Sequence, residues 1–250
     1  MLSCNQGGPN AVILGSTLAQ FAVLAGTMVT NVGNTNVGFA AGATSLGVND
    51  DLIGVSPGTA VMGFYPPGTD TDGMLAIYAA GFNTDRVKPA TAQGELTTAF
   101  NTLAGRPASV TFPGPTDLSM ADVGFGPGVL HPGVYKSPST FSIASRDLVL
   151  DGGGDPQSVF IFQMGTALTT VANGGTSGNV RLQNGASACN IYWQAGSAAT
   201  LGGATFYGNV LAGTAITVNA TTFGGRALAE SAGVSIPVAG GSIITNPGGR

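Results

Sequence analysis

The strongest constraint on how this chain can fold is a pattern repeated between Thr140 and Pro237, in which two apolar or small residues bracket a hydroxyl. It reads Phe141-Ser142-Ile143, Leu168-Thr169-Thr170, Ala199-Thr200-Leu201, Ile216-Thr217-Val218 and Val234-Ser235-Ile236. Strand side chains alternate faces, so each bracketing pair can point inward while Ser142, Thr169, Thr200, Thr217 and Ser235 point outward in a column. Two further strand patterns keep step with it. One is Val159-Phe160-Ile161-Phe162, Ile191-Tyr192-Trp193, Val210-Leu211-Ala212 and Ala227-Leu228-Ala229; the other is Leu148-Val149-Leu150, Val180-Arg181-Leu182, Ala204-Thr205-Phe206 and Thr221-Thr222-Phe223. From Thr200 to Thr217 is 17 residues and from Thr217 to Ser235 is 18. Three short strands in such a period, with Gly or Asn at the corners, predict a mainly β fold: a three-sided parallel β-helix, or β-solenoid. The longer intervals, 27 residues from Ser142 to Thr169 and 31 from Thr169 to Thr200, leave room for loops at Gly152 to Gln157 and Gly174 to Gly178.

Composition decides what can cover such a solenoid. Only 8% of the 250 residues are charged, so neutral Thr, Ser, Asn, Ala and Gly must make the surface. The length suits one all-β domain, taken as residues 1–250. Net charge is −4 and the eight basic residues are scattered singly, which excludes a phosphate-binding stripe and a polybasic membrane patch. No apolar run approaches the roughly 18 residues of a membrane-spanning helix. Neither nucleic acid nor membrane is expected as a partner.

The three faces differ. Strands around Ile161, Tyr192, Leu211 and Leu228 are apolar on both sides, as parallel strands are when something packs on them. The candidate cover is residues 89–104: Pro89 suits a helix start, Ala92, Leu96, Ala99, Phe100 and Leu103 fall at helical spacing, and Gly105 with Pro107 stops it. A single long α-helix along one face is therefore expected. The hydroxyl wall is expected to be uncovered. Towards the N-terminus, Phe21-Ala22-Val23-Leu24, Met28-Val29-Thr30 and Ala60-Val61-Met62 read as strands, and residues 34–88 as an elaborated cap with a short helix at Met74 to Ala80.

No constellation of catalytic or metal-ligating residues stands out, and no cofactor is expected. Asp151-Gly152-Gly153-Gly154-Asp155 reads as a turn, and the glycines lack the strand-to-helix setting of a phosphate loop. His131 has no partner at ligand spacing and reads as an exposed loop residue. Tyr192 and Trp193 belong to the doubly apolar strand; Arg106, Arg181 and Arg226 read as solvated or as corner ties. Cys4 and Cys189 can be bridged or free, and sequence leaves that open. No apolar segment with a cleavage site precedes Cys4, which fits a secreted chain whose signal has been removed or an intracellular one; the expectation taken is secreted.

Several segments together resemble the microbial ice-binding (antifreeze) family of sea-ice bacteria, diatoms and cold-adapted fungi. They are FAVLAGTMVTNVG at Phe21, IGVSPGTAVMGFYPPGT at Ile53, ELTTAFNTLAGRP at Glu95, PGVYK at Pro132, FIFQMGTALTT at Phe160, NGASACNIYWQAGSAATLG at Asn184 and GNVLAGTAITVNATTFGGRALA at Gly208. The resemblance implies a right-handed irregular β-helix with a flanking α-helix, whose N-terminal strands fold back to complete coils out of sequence order. It also implies a monomer that adsorbs to an ice crystal surface through the hydroxyl wall and has no enzymatic activity. Carried over residue by residue, that face comprises Thr140, Ser142, Ala144, Ala167, Thr169, Ala198, Thr200, Ala215, Thr217, Asn219, Gly233 and Ser235, with Met28, Thr30, Ala60 and Met62 from the N-terminal part. Met62 departs from the family, which often has Thr there. Two other functions stay open on the residues alone: a polysaccharide-active β-helix enzyme, against which the acids do not cluster, and an adhesin or matrix module using the same wall.

Overall fold

The computed structural model describes residues 14–39, 52–64, 69–70, 77–80, 82–83, 85–171, 177–238 and 241–246. Successive coils stack through parallel ladders, so each three-residue bracket in the sequence becomes one rung of a wall. The flat wall has eight strands in the order Ala60–Met62, Met28–Asn31, Val234–Ile236, Ile216–Val218, Ala199–Leu201, Leu168–Thr170, Phe141–Ile143 and Thr116–Asp117. In the five repeated brackets the outer two residues are buried and the central hydroxyl residue is half-exposed.

That strand order is not the chain order. Met28–Asn31 pairs with Val234–Ile236, placing a coil from the chain's beginning directly on the last repeated one, and Phe21–Ala25 likewise lies between Ala227-Leu228 and Leu52–Val55. The N-terminal coils thus close the stack at one end, as the resemblance implied. Strands Asn36–Phe39, Thr69–Asp70 and Ile77–Tyr78 extend the other walls at that end. Ile77–Tyr78 pairs with Ile53-Gly54, so the helix expected over Met74 to Ala80 is replaced by a strand; residues 74–76 lie outside the described set. Two hydrophobes, Ile77 and Tyr78, are both buried there, one towards each of the two apolar clusters, which a wall strand achieves and an isolated helical turn does not.

The helix runs Val87–Ala104, starting two residues before the expected Pro89. Asp85 explains the earlier start: its Oδ1 accepts from the backbone N–H of Val87 at 2.9 Å and Lys88 at 3.3 Å, satisfying donors that the first turn leaves free. Eighteen residues span about 27 Å, close to the rise of five to six coils at roughly 4.8 Å each. One helix is long enough to cover most of the wall. Its buried face, Ala92, Leu96, Ala99 and Leu103, packs on Ile161, Tyr192, Leu211 and Leu228, the outward row of the doubly apolar strands. Gln163 finishes the job at the far end, where its Nε2 donates to the carbonyls of Leu103 at 2.6 Å and Arg106 at 2.8 Å.

The third wall departs from the expected repeat. Leu148–Asp151 and Val180–Gln183 are separate strands, but Thr205–Tyr207 and Thr222–Gly224 are the first halves of the continuous eight-residue strands Thr205–Ala212 and Thr222–Ala229. In the first of them the corner falls at Gly208, whose φ of 115° is a backbone conformation that other residues rarely adopt, and where a Cβ would fall 2.7 Å from Trp193 Nε1. Arg226 is not solvated either. It is 1% exposed, its guanidinium donating to Asn209 Oδ1 at 2.7 Å and to Ala19 O, so this buried cation ties the N-terminal coil to the C-terminal one.

Inside, aromatic rings from successive coils stack: Tyr135 on Phe162 at 5.4 Å and Phe162 on Trp193 at 4.0 Å between centroids. Where the covered wall turns into the flat wall, glycines form a staircase. A Cβ would sit 2.7 Å from Gly196 O at Gly213 and 2.5 Å from Glu230 O at Gly26, and nearer still to the neighbouring coil's carbonyl at Gly165 and Gly196. Replacing Gly196 with Val forces adjacent coils apart, and we expect a cost of about 2 kcal/mol or more. The melting temperature should fall by roughly 4–8 °C for a domain of this size. Gly94→Ala, where the new Cβ meets nothing within 4 Å, should instead raise it slightly in the same calorimetric scan.

Candidate functional site: a flat hydroxyl and methyl wall

The ladders put the predicted hydroxyls in strict register. Ser142 pairs with Thr169, Thr169 with Thr200, Thr200 with Thr217, Thr217 with Ser235, Ser235 with Thr30 and Thr30 with Met62. Beside this column runs a second, of small or flat residues two positions earlier. Backbone bonds from Phe141 N to Ala167 O, Leu168 N to Ala198 O, Ala199 N to Ala215 O and Ile216 N to Gly233 O link its rungs, from Thr140 through Ala167, Ala198, Ala215 and Gly233 to Met28 and Ala60. Ala144 and Asn219 stand in a third column, two positions after the hydroxyls.

That third column also holds residues that sequence reasoning missed. Val171 and Val32 lie two positions beyond Thr169 and Thr30 and are 46% and 60% exposed. A fourth line was missed at the corner: Thr27, Thr59, Thr166 and Thr214 are exposed, each following a glycine of the staircase or its equivalent. The signal was present as a longer repeat, Gly-Thr-Ala-Leu-Thr at 165, Gly-Ser-Ala-Ala-Thr at 196 and Gly-Thr-Ala-Ile-Thr at 213, of which the hydroxyl bracket is only the end.

Strand spacing of about 4.8 Å and alternate-residue spacing of about 6.6 Å make these columns a near-rectangular grid, roughly 34 Å along the eight strands and about 13 Å across where the third column is exposed. An even patch of that area is within the range that marks binding surfaces on single domains. The helix packs on a different wall, and every residue predicted for the face is half-exposed or exposed. The column's hydroxyls are also unspent. Ser142 Oγ makes one long bond to Thr116 O at 3.5 Å, whereas those of Thr30, Thr169, Thr200, Thr217 and Ser235 bond to no group among the described residues.

Charge enters the central column only at its lower end, where Asp117 pairs with Ser142. Burial works against ionisation of Asp117, but bonds from the hydroxyls of Ser119 and Ser145 and the backbone N–H groups of Ala144 and Ser119 outweigh it and hold the carboxyl below its ordinary value. The carboxylate thus anchors the turn that follows Ser142.

The other chemistry-bearing residues stand apart from this wall. Asp151 Oδ1 accepts from Gly153 N at 2.8 Å, forming the turn expected there. His131 is half-buried, its ring 3.8 Å from that of Phe125, and Trp193 and Tyr192 are buried. Among the described residues no three His, Cys, Asp or Glu side chains group as metal ligands, and no helix is long and apolar enough to cross a membrane. Cys189 is in a disulfide; the chain's other cysteine, Cys4, lies outside the described residues.

A parallel β-solenoid with a long α-helix packed along one wall and a second wall of half-exposed hydroxyl and methyl residues in register is the class of fold the chain adopts. The chain belongs to the ice-binding-like family, which matches residues 23–239. It is 36% identical over 198 residues to an ice-binding protein of Nostoc sp. (strain HG1), covering 78% of this chain and 60% of that one. It is 31% identical over 198 residues to one of Flavobacterium frigoris (strain PS1), covering 78% and 63%. The chain thus spans about three fifths of these relatives' length. Among solved structures, an ice-binding protein from an Antarctic biological consortium superposes with TM-score 0.72 at 35% identity, over 97% of this chain and 95% of that one. One from the Antarctic ascomycete Antarctomyces psychrotrophicus gives 0.72 at 31%, over 94% and 98%.

Asp117 makes a pH prediction. Its folded value is depressed, so its contribution is full above the ordinary 3.8 and is lost as pH falls through the lower folded value. Asp117→Asn should therefore melt below wild type at neutral pH, and the gap should close as pH is lowered from 3.8, checked by melts across that range.

Proposed function

We propose that the protein is a secreted, monomeric ice-binding protein that adsorbs to ice through the flat wall. Its outward columns are Thr140, Ala167, Ala198, Ala215, Gly233, Met28 and Ala60; Ser142, Thr169, Thr200, Thr217, Ser235, Thr30 and Met62; and Ala144 with Asn219. The whole chain acts as one binding unit without cofactor or reaction centre. The observation that carries this reading is the unbroken register of the hydroxyl column on a wall that the helix leaves bare.

Ice differs from other ligands in being periodic, uncharged and continuous, so a matching surface must be periodic, uncharged and stiff. The grid of roughly 4.8 by 6.6 Å resembles repeats in ice planes. Methyl groups of Thr, Ala, Val and Met gain by leaving liquid water, and unspent hydroxyls bond into the ordered layer; Lys or Glu would hold a competing hydration shell. A wall whose backbone is fixed by ladders on both sides loses little entropy on docking. Adsorbed molecules then force the ice front to curve between them, which lowers the local freezing point and slows recrystallisation.

Thr200→Tyr and Thr217→Tyr raise a ring out of the plane at the centre of the grid without touching the core. Each should remove most of the thermal hysteresis, read as the gap between melting and growth of a single crystal. Surface changes of this kind stay within about 0.5 kcal/mol, so the circular dichroism melt should move by no more than roughly 2 °C. Undiminished hysteresis in both variants would place the adsorbing surface on another wall.

A further inference from the structure

We infer that the groove on the third wall is a binding site for a neutral oligosaccharide, independent of the flat wall. Val180–Gln183 pairs with Leu148–Asp151, whereas Thr205–Tyr207 pairs with Thr222–Gly224, so between these two strands the third wall's ladder is broken. The facing edges border a groove of about 880 Å³, a volume typical of small-molecule sites.

Its lining combines an aromatic face with tethered planar polar groups. The Tyr207 ring passes close to Gly224, where a Cβ would fall 2.5 Å from its Cδ1 and 2.7 Å from its Cε1, so the glycine leaves the room the ring occupies at the groove. Arg181, its side chain 66% exposed, is ion-paired through Nε to Asp147, which also accepts from Asn179 Nδ2 at 2.8 Å. Gln183 is held by Asp151 Oδ2 at 3.0 Å. Val149 and Leu182 supply apolar surface between these groups. A sugar ring has the matching chemistry, a face of C–H groups to stack on tyrosine and a rim of hydroxyls for the remaining guanidinium and amide atoms.

Other occupants fit less well. An inserted peptide strand needs free edges, but Asn179 Oδ1 already accepts from the N–H of Ala204 at 2.9 Å and Thr205 at 3.0 Å, bridging the gap at one end. An anion would meet one arginine already neutralised by Asp147, with Asp151 close by.

The test is a ¹⁵N chemical-shift titration of the full chain with cellohexaose, laminarihexaose and mannohexaose, and with hexagalacturonate as the charged comparison. At least one neutral hexaose should shift resonances of residues 179–183 and 204–207 saturably. Tyr207→Ala should weaken that binding about tenfold. Arg181→Ala, at an exposed position, should weaken it as well with the melt unchanged, and Thr200→Tyr should leave it intact while hysteresis is lost. No saturable shift with any neutral hexaose, binding of hexagalacturonate alone, or full affinity in folded Tyr207→Ala and Arg181→Ala would overturn the inference, whatever the result on ice.

Discussion

The parallel hydrogen-bond ladder between coils is the interaction on which everything else in this molecule depends. It fixes the spacing between rungs, and it also fixes register, so that a residue facing outward on one coil stands beside its counterpart on the next. A slip of one position would turn Thr200 inward and Ala199 outward. The buried brackets, Ala199 and Leu201 for example, make such a slip costly, and the glycine staircase at Gly26, Gly165, Gly196 and Gly213 allows the corner carbonyls to stack closely enough for the ladder to run on. The grid on the flat wall is thus a by-product of core packing, which is why it is level and stiff.

Much of this was legible in the sequence because it rests on short-range periodicity. The hydroxyl brackets, the doubly apolar strands and the helix that covers them all follow from side-chain alternation and helical spacing, and the pairings Thr169 with Thr200 and Thr200 with Thr217 follow once the period is recognised. What was not legible has a common cause in long-range pairing. The strand Ile77–Tyr78 is too short to carry a pattern of its own, and exists because Ile53-Gly54 offers it an edge. Arg226 reads equally as solvated or as a corner tie, and what decides for the tie is the carbonyl of Ala19, far away in sequence. Two members of the third column, Val32 and Val171, were not legible for the opposite reason: they follow the brackets directly but carry no hydroxyl, although they are more exposed than the hydroxyl residues themselves.

The position of the polar ties bears on how such a wall can be kept free. Buried polar side chains hold the coil order at other places: Arg226 and Asn209 join the N-terminal coil to the stack, Gln163 ties down the end of the helix, and Asn179 bridges the broken third wall. Asp117 does similar work at the end of the flat wall, spending its carboxylate on the neighbouring turn. None of these ties uses the central hydroxyls.

That separation has an energetic consequence. A side chain engaged in holding the fold loses its bond when it meets an external lattice, so any gain at the surface is offset by a loss within. Thr30, Thr169, Thr200, Thr217 and Ser235 carry no such cost, because their hydroxyls make no bond among the described residues and all five are half-exposed. Stability is carried by the buried brackets and the helix-covered wall, and the adsorption proposed for the flat wall would fall on groups that stability does not need. The outward positions of the flat wall can therefore change, as Met62 does at the end of the hydroxyl column, without disturbing the ladder that positions them.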